Sequence, residues 1–135
     1  MTSVSLASEY VTDTMALILH LENRKSSQTV KEIFDSADQD KTTIYIPAMV
    51  FAEILYLSER QRITLNLFEV EKHLKSFQNY RELPMSFEIV RNALQITDIP
   101  ELHDRLIASN ANHLDLELIT NDPKIQASKF VRTIW

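Results

Sequence analysis

Four carboxylates, Asp13, Glu53, Asp104 and Asp122, stand where side chains of their type can do chemistry. Asp13 directly follows the apolar run Tyr10-Val11-Thr12, and Asp122 lies just beyond Leu118-Ile119-Thr120. Both are expected at strand ends, and ligands of parallel α/β sheets sit beyond the carboxyl ends of the strands. Carboxylates gathered without Cys or His make a hard oxygen site, which suits Mg²⁺ or Mn²⁺ and not Zn²⁺. The chemistry such a site implies is hydrolysis of a phosphodiester, with water activated and the leaving oxygen stabilised by the cation.

Each acid also has a plainer explanation. Asp13 can cap the helix that follows it, and Asp122 before Pro123 has the form of an N-cap with Pro at the first helical position. Asp104 sits in a first helical turn, near the positive end of the dipole, with Ile107 and Ala111 three and seven residues on along the packed stripe. Glu53 shares a helical line with Met49 and Leu57, and Val50, Phe51, Ile54 and Leu55 cover much of the rest, so its carboxylate is expected against the core. A buried charge there needs a cation, whether a metal or an arginine such as Arg60, Arg62 or Arg105. Capping and dipoles give no reason for all four acids to be aimed at one place.

Composition narrows the field. The 135 residues suit one domain, 1–135, with residues 1 to 8 as a loose polar lead-in. The chain has no Cys, which removes thiolate ligands and cysteine nucleophiles, and no Gly, which removes phosphate-cradling glycine loops. Its net charge of -5 opposes nucleic-acid binding, but four of the negative charges would belong to the proposed site, where bound cations reverse the local field. No apolar run reaches the roughly 20 residues of a membrane span, and the N-terminus does not resemble a secretory signal, so a cytoplasmic location is expected.

The elements that must position these acids alternate. Strands are expected at residues 10–12, 44–46, 80–83, 117–120 and 131–135, with helices at 14–19, 29–37, from Pro47 to about Glu59, 67–77, from a Ser86 cap through Leu94, 101–114 and from Pro123. That order reads as an α/β fold in three layers, with a central, mainly parallel sheet flanked by helices and no internal repeat.

The run His103-Asp104-Arg105-Leu106-Ile107-Ala108-Ser109-Asn110-Ala111, followed by Leu118-Ile119-Thr120-Asn121-Asp122, resembles the C-terminal signature of PIN domains, especially the toxin half of VapBC-type toxin–antitoxin pairs. Val11-Thr12-Asp13-Thr14 is similar to that family's first-strand aspartate, Pro47 to Glu53 to its helix with the second acid, and Thr133-Ile134-Trp135 to its close. The resemblance runs in order over nearly the whole chain. It implies a PIN-like fold, Mg²⁺- or Mn²⁺-dependent endoribonuclease activity, an RNA substrate, a homodimer and a cognate antitoxin. Asp13, Asp104 and Asp122 would be direct ligands, and Glu53 would bind metal or orient water. Thr14, Thr120 and Asn121 would support them, and Asp98 or Glu101 would offer a fifth carboxylate, although helix capping explains Asp98 better.

The competing function is a catalytically weak PIN-like module that binds a partner protein. A phosphoacceptor receiver or a haloacid-dehalogenase phosphatase fits less well, since Asp13 is followed by Thr14 and Met15. His20, His73, His103 and His113 show no zinc-ligand spacing and read as surface or core residues. Tyr56, Tyr80 and Trp135 have the chemistry to stack on bases but are more simply packing residues.

Overall fold

The computed structural model describes residues 8–135. Of the expected lead-in, residues 1–7 lie outside the described residues; Ser8 is already tied to the sheet, its carbonyl accepting from Thr43 N–H at 2.8 Å. The chain folds as β1 (Glu9–Thr12), α1 (Thr14–Leu21), α2 (Gln28–Asp38), β2 (Thr43–Pro47), α3 (Ala48–Glu59), α4 (Leu67–Ser76), β3 (Tyr80–Leu83), α5 (Phe87–Asn92), α6 (Leu102–Leu114), β4 (Leu118–Ile119), α7 (Pro123–Gln126) and β5 (Thr133–Ile134). The strands make one sheet in the order β3-β2-β1-β4-β5, with every adjacent pair parallel. The expected α/β architecture, a parallel sheet flanked by helices, is the one observed.

Burial explains the strand sequences. Tyr10, Val11 and Thr12 are consecutive and all buried, as are Leu118, Ile119 and Thr120. Both faces of the central strands are therefore covered, as a parallel sheet requires. Val30, Ile33, Phe34 and Ala37 form the buried stripe of α2 at the predicted helical spacing.

Several boundaries differ from expectation. Pro47 ends β2, opposite Leu83, and is also the N-cap of α3, one residue before the first helical position expected for it. The helix expected through Leu94 leaves α geometry at Asn92 and tightens into a 3-10 turn, Ala93–Gln95. α3 is apolar almost all round in sequence, yet only Val50 and Ile54 are buried, while Leu55 and Tyr56 are exposed. In a chain without glycine, the left-handed positions after helices fall to other residues: Asn23, Asp40, Gln61 and Asp115 all have positive φ. Asn and Asp tolerate that region through local side-chain hydrogen bonds, whereas Gln61 carries a Cβ cost of roughly 1–2 kcal/mol.

Candidate active site

Three helix starts converge beyond the carboxyl ends of β1 and β4. Asp13 caps α1, its Oδ1 accepting from Ala16 N–H at 2.8 Å, and Asp122 caps α7, its Oδ1 accepting from Lys124 N–H at 2.9 Å. The two loops are neighbours because β1 and β4 pair directly, with Asp13 N–H donating to Ile119 O at 3.1 Å. Asp104 lies in the first turn of α6, whose cap is Glu101; that carboxylate accepts from the N–H groups of Asp104 and His103. α3 packs between α1 and α6 and so carries Glu53 to the same place. Asp13, Thr14, Glu53, Asp104, Asn121 and Asp122 line one cavity of about 580 Å³. The capping readings of Asp13 and Asp122 are thus correct, and both capped helices also open onto this cavity.

The supporting residues divide. The Thr14 hydroxyl donates to Glu53 Oε1, and the Thr120 hydroxyl accepts from Asp122 N–H at 3.1 Å. Asn121 lines the cavity and is exposed. Asp98 does not belong to the site. Its carboxylate accepts from the Ser128 hydroxyl at 2.7 Å and Lys129 N–H at 2.9 Å, which fastens the loop after α7, and it caps no helix.

Glu53 needs a correction as well. It is half-buried at the cavity edge, not pressed into the core, because the outer side of α3 faces solvent. Among the described residues, none of the four acids forms a salt bridge, and Arg60, Arg62 and Arg105 do not neutralise them. Arg60 instead lies over the Tyr56 ring, 4.3 Å from its centroid. Tyr80 is a core residue and Trp135 packs partly buried against the core, so neither is presented for stacking on a base.

The electrostatics follow from this shortage of cations. Burial pushes the Asp13 carboxyl up to about 6; hydrogen bonds from Thr120 and Ala16 oppose the rise, and the charges of Glu53 and Asp122 add to it. Asp104 is also pushed up to about 6, first by burial and then by the charges of Glu101, Asp122 and Glu53. Among the described residues, no Lys, Arg or His lines the cavity. Four hard oxygen donors that repel one another, a repulsion that His103 offsets only in part at Asp104, fit a divalent cation. The ring is open: among the described residues, the three-residue group with donor atoms within 4.8 Å of one another is His20, Asp38 and His73, not a set drawn from these four acids. Mg²⁺ typically takes only one or two carboxylates, keeps several waters and uses substrate phosphates for the rest, so spread carboxylates are compatible with it.

The four histidines, read from the sequence as surface or core residues, divide into two kinds. His103 lies 3.2 Å from Glu101 and His113 3.7 Å from Glu88, both partly exposed, but His20 and His73 meet at Asp38.

A family model described as PIN domain matches residues 10–130. Among solved structures, the chain is similar in fold to VapBC2 from Rickettsia felis bound to a DNA fragment from their promoter, at 18% identity over 94% of this chain and 98% of that one, with a TM-score of 0.71. It is similar to DNA-bound VapBC from Salmonella typhimurium at 15% identity over 95% and 98%, TM-score 0.68. A toxin–antitoxin complex from Klebsiella pneumoniae is similar at 17% identity over 93% and 96%, TM-score 0.64. No protein of curated function matches in sequence.

Proposed function

This chain belongs to the PIN domain family, and from that premise we propose that it is a single-domain, Mg²⁺- or Mn²⁺-dependent endoribonuclease, the toxin of a toxin–antitoxin pair. The observation that carries the proposal is the convergence of Asp13, Glu53, Asp104 and Asp122 on one cavity that no basic side chain lines among the described residues. A divalent cation bound there would supply Lewis acidity and a water of lowered pKa.

The chain's own residues do the rest. Asp13 and Asp122 are fixed by their capping hydrogen bonds and present their carboxylates from rigid helix starts. Among the described residues no hydrogen bond is made to the Asp104 carboxylate, which leaves its oxygens free to ligate. Glu53 is held by Thr14, so one oxygen is oriented and the other is available to accept a proton from water. The three helix starts add positive dipole ends facing the cavity, which favours a phosphate there.

The antitoxin and the homodimer are part of the same proposal. An apolar groove of about 610 Å³ between α3 and α4, lined by Phe51, Leu55, Leu67, Phe68 and Leu74, offers a protein partner a surface of the right kind. That groove also favours the second reading, a partner-binding module with weak catalysis. Among the described residues no helix is long and apolar enough to cross a membrane; a cytoplasmic location is part of the same proposal.

The test is cleavage of RNA by the purified protein with Mg²⁺ or Mn²⁺. Cleavage should stop with EDTA and be lost in Asp104→Asn with the circular dichroism unchanged. Cleavage that survives both treatments would reject the metal site, and partner capture without any nuclease activity would favour the second reading.

A further inference from the structure

We propose that His20, Asp38 and His73 form a second metal site, remote from the acidic cavity, which takes a transition-metal cation of the Zn²⁺ class. Nothing in their order along the chain signals it, since the three residues come from the last turn of α1, the end of α2 and the later part of α4. The fold returns those helix ends to one place, next to the start of β3.

The donors are already spaced for coordination. His20 Nε2 lies 3.0 Å from Asp38 Oδ2, and His73 Nε2 lies 3.3 Å from Asp38 Oδ1. Bonds of about 2.0–2.1 Å to a tetrahedral Zn²⁺ separate neighbouring ligand atoms by about 3.3 Å. The set of three donor atoms lies within 4.8 Å of one another.

The side chains are also fixed in place. The His20 ring stacks on Phe34 with centroids 4.7 Å apart, and His73 sits against Phe77 at 4.4 Å and edge-on to Tyr80 at 4.6 Å. The Tyr80 hydroxyl donates to Asp38 Oδ1 at 2.6 Å, the outer-shell hydrogen bond that orients a metal-binding carboxylate.

One atom is not satisfied by the hydrogen-bonded arrangement. His73 Nε2 is buried, and its 3.3 Å approach to Asp38 Oδ1 is too poorly aligned to satisfy it as a hydrogen bond. An orphaned buried nitrogen is costly, and coordination would give it a partner. The three side chains keep 15, 26 and 17% of their surface exposed, so the cluster lies at the edge of the core and not deep within it. Two imidazoles and one carboxylate select borderline cations such as Zn²⁺ and Co²⁺ over Mg²⁺, the reverse of the acidic cavity. The bound ion would staple α1, α2 and α4, and α1 is the helix whose opposite end carries Asp13 and Thr14.

The test is titration of the metal-stripped full-length protein with Co²⁺, read by visible absorption, followed by displacement with Zn²⁺. Four-coordinate Co²⁺ with imidazole ligands gives intense bands, whereas Co²⁺ among carboxylates and waters stays weakly coloured. The expected result is one equivalent of strong absorption in the wild type and in Asp104→Asn, with affinity at least about tenfold weaker in His73→Gln and in His20→Gln. Only weak colour in the wild type would overturn the site, whatever the variants' folding. Strong bands that persist in both histidine variants, or vanish in Asp104→Asn, would also overturn it.

Discussion

The two ends of α1 hold their carboxylates in opposite states. At the start, Asp13 is pushed up to about 6, because burial and the Glu53 and Asp122 charges outweigh the hydrogen bonds from Thr120 and Ala16. At the end, partial burial also raises Glu22, but donors from the Thr64 hydroxyl, Leu65 N–H, Arg24 and Thr64 N–H overcome it and hold the carboxyl down to about 2. The same helix thus carries one carboxylate short of donors and another with several. The second arrangement fastens the loop at Thr64 and Leu65 to α1, and the first leaves a charge that a cation would stabilise. The difference separates a carboxylate whose charge is fully used in fastening structure from one that caps a helix and still carries an unrelieved charge.

The comparison is broken or sharpened by substitution. The largest expected effect is on activity: Asp13→Asn, which keeps a capping oxygen but removes the charge, should lower RNA cleavage by at least about 100-fold, measured under single-turnover conditions. Next is stability at the other end. Glu22→Gln should destabilise the protein by about 2 kcal/mol in urea unfolding, since it replaces charge-assisted hydrogen bonds with neutral ones. Asp13→Asn should act with the opposite sign and stabilise the metal-free protein at pH 7.5 by about 1–3 kcal/mol. Destabilisation by both variants would mean that the two ends of α1 are alike.

The pH dependence follows the same division. Asp13 binds its proton more tightly in the folded state, so its contribution to stability is present below the ordinary value of 3.8 and is lost as pH rises through about 6. The stability difference between wild type and Asp13→Asn without metal should therefore be near zero at pH 4 and reach its full size above pH 6. Glu22 works the other way: its contribution is present above 4.5 and is lost as pH falls through about 2. The smallest effect is expected at Thr14. Thr14→Val frees Glu53 and should reduce cleavage by about tenfold with little change in the unfolding midpoint.

Much of this was readable from residues alone where local rules operate. Asp13 and Asp122 follow apolar runs that had to be strands, and Ile107 and Ala111 marked the buried stripe of α6. Long-range contacts were not readable. Asp98 was expected as a cap but reaches thirty residues along to Ser128, and no local pattern reports such a pairing. Glu53 was misplaced because Leu55 and Tyr56 are apolar yet exposed, which made α3 look like a core helix. His20, Asp38 and His73 share no spacing at all; only the return of three helices to the base of the sheet joins them.

The central claim, that the mouth of the sheet near Asp13, Asp104 and Asp122 holds the hard divalent ion, is tested most directly by a two-dimensional amide spectrum titrated with Mn²⁺. Paramagnetic broadening should begin at Thr14, Asn121 and the first turn of α6 and should vanish in Asp104→Asn. Broadening that starts elsewhere, or that is unchanged in that variant, would contradict it.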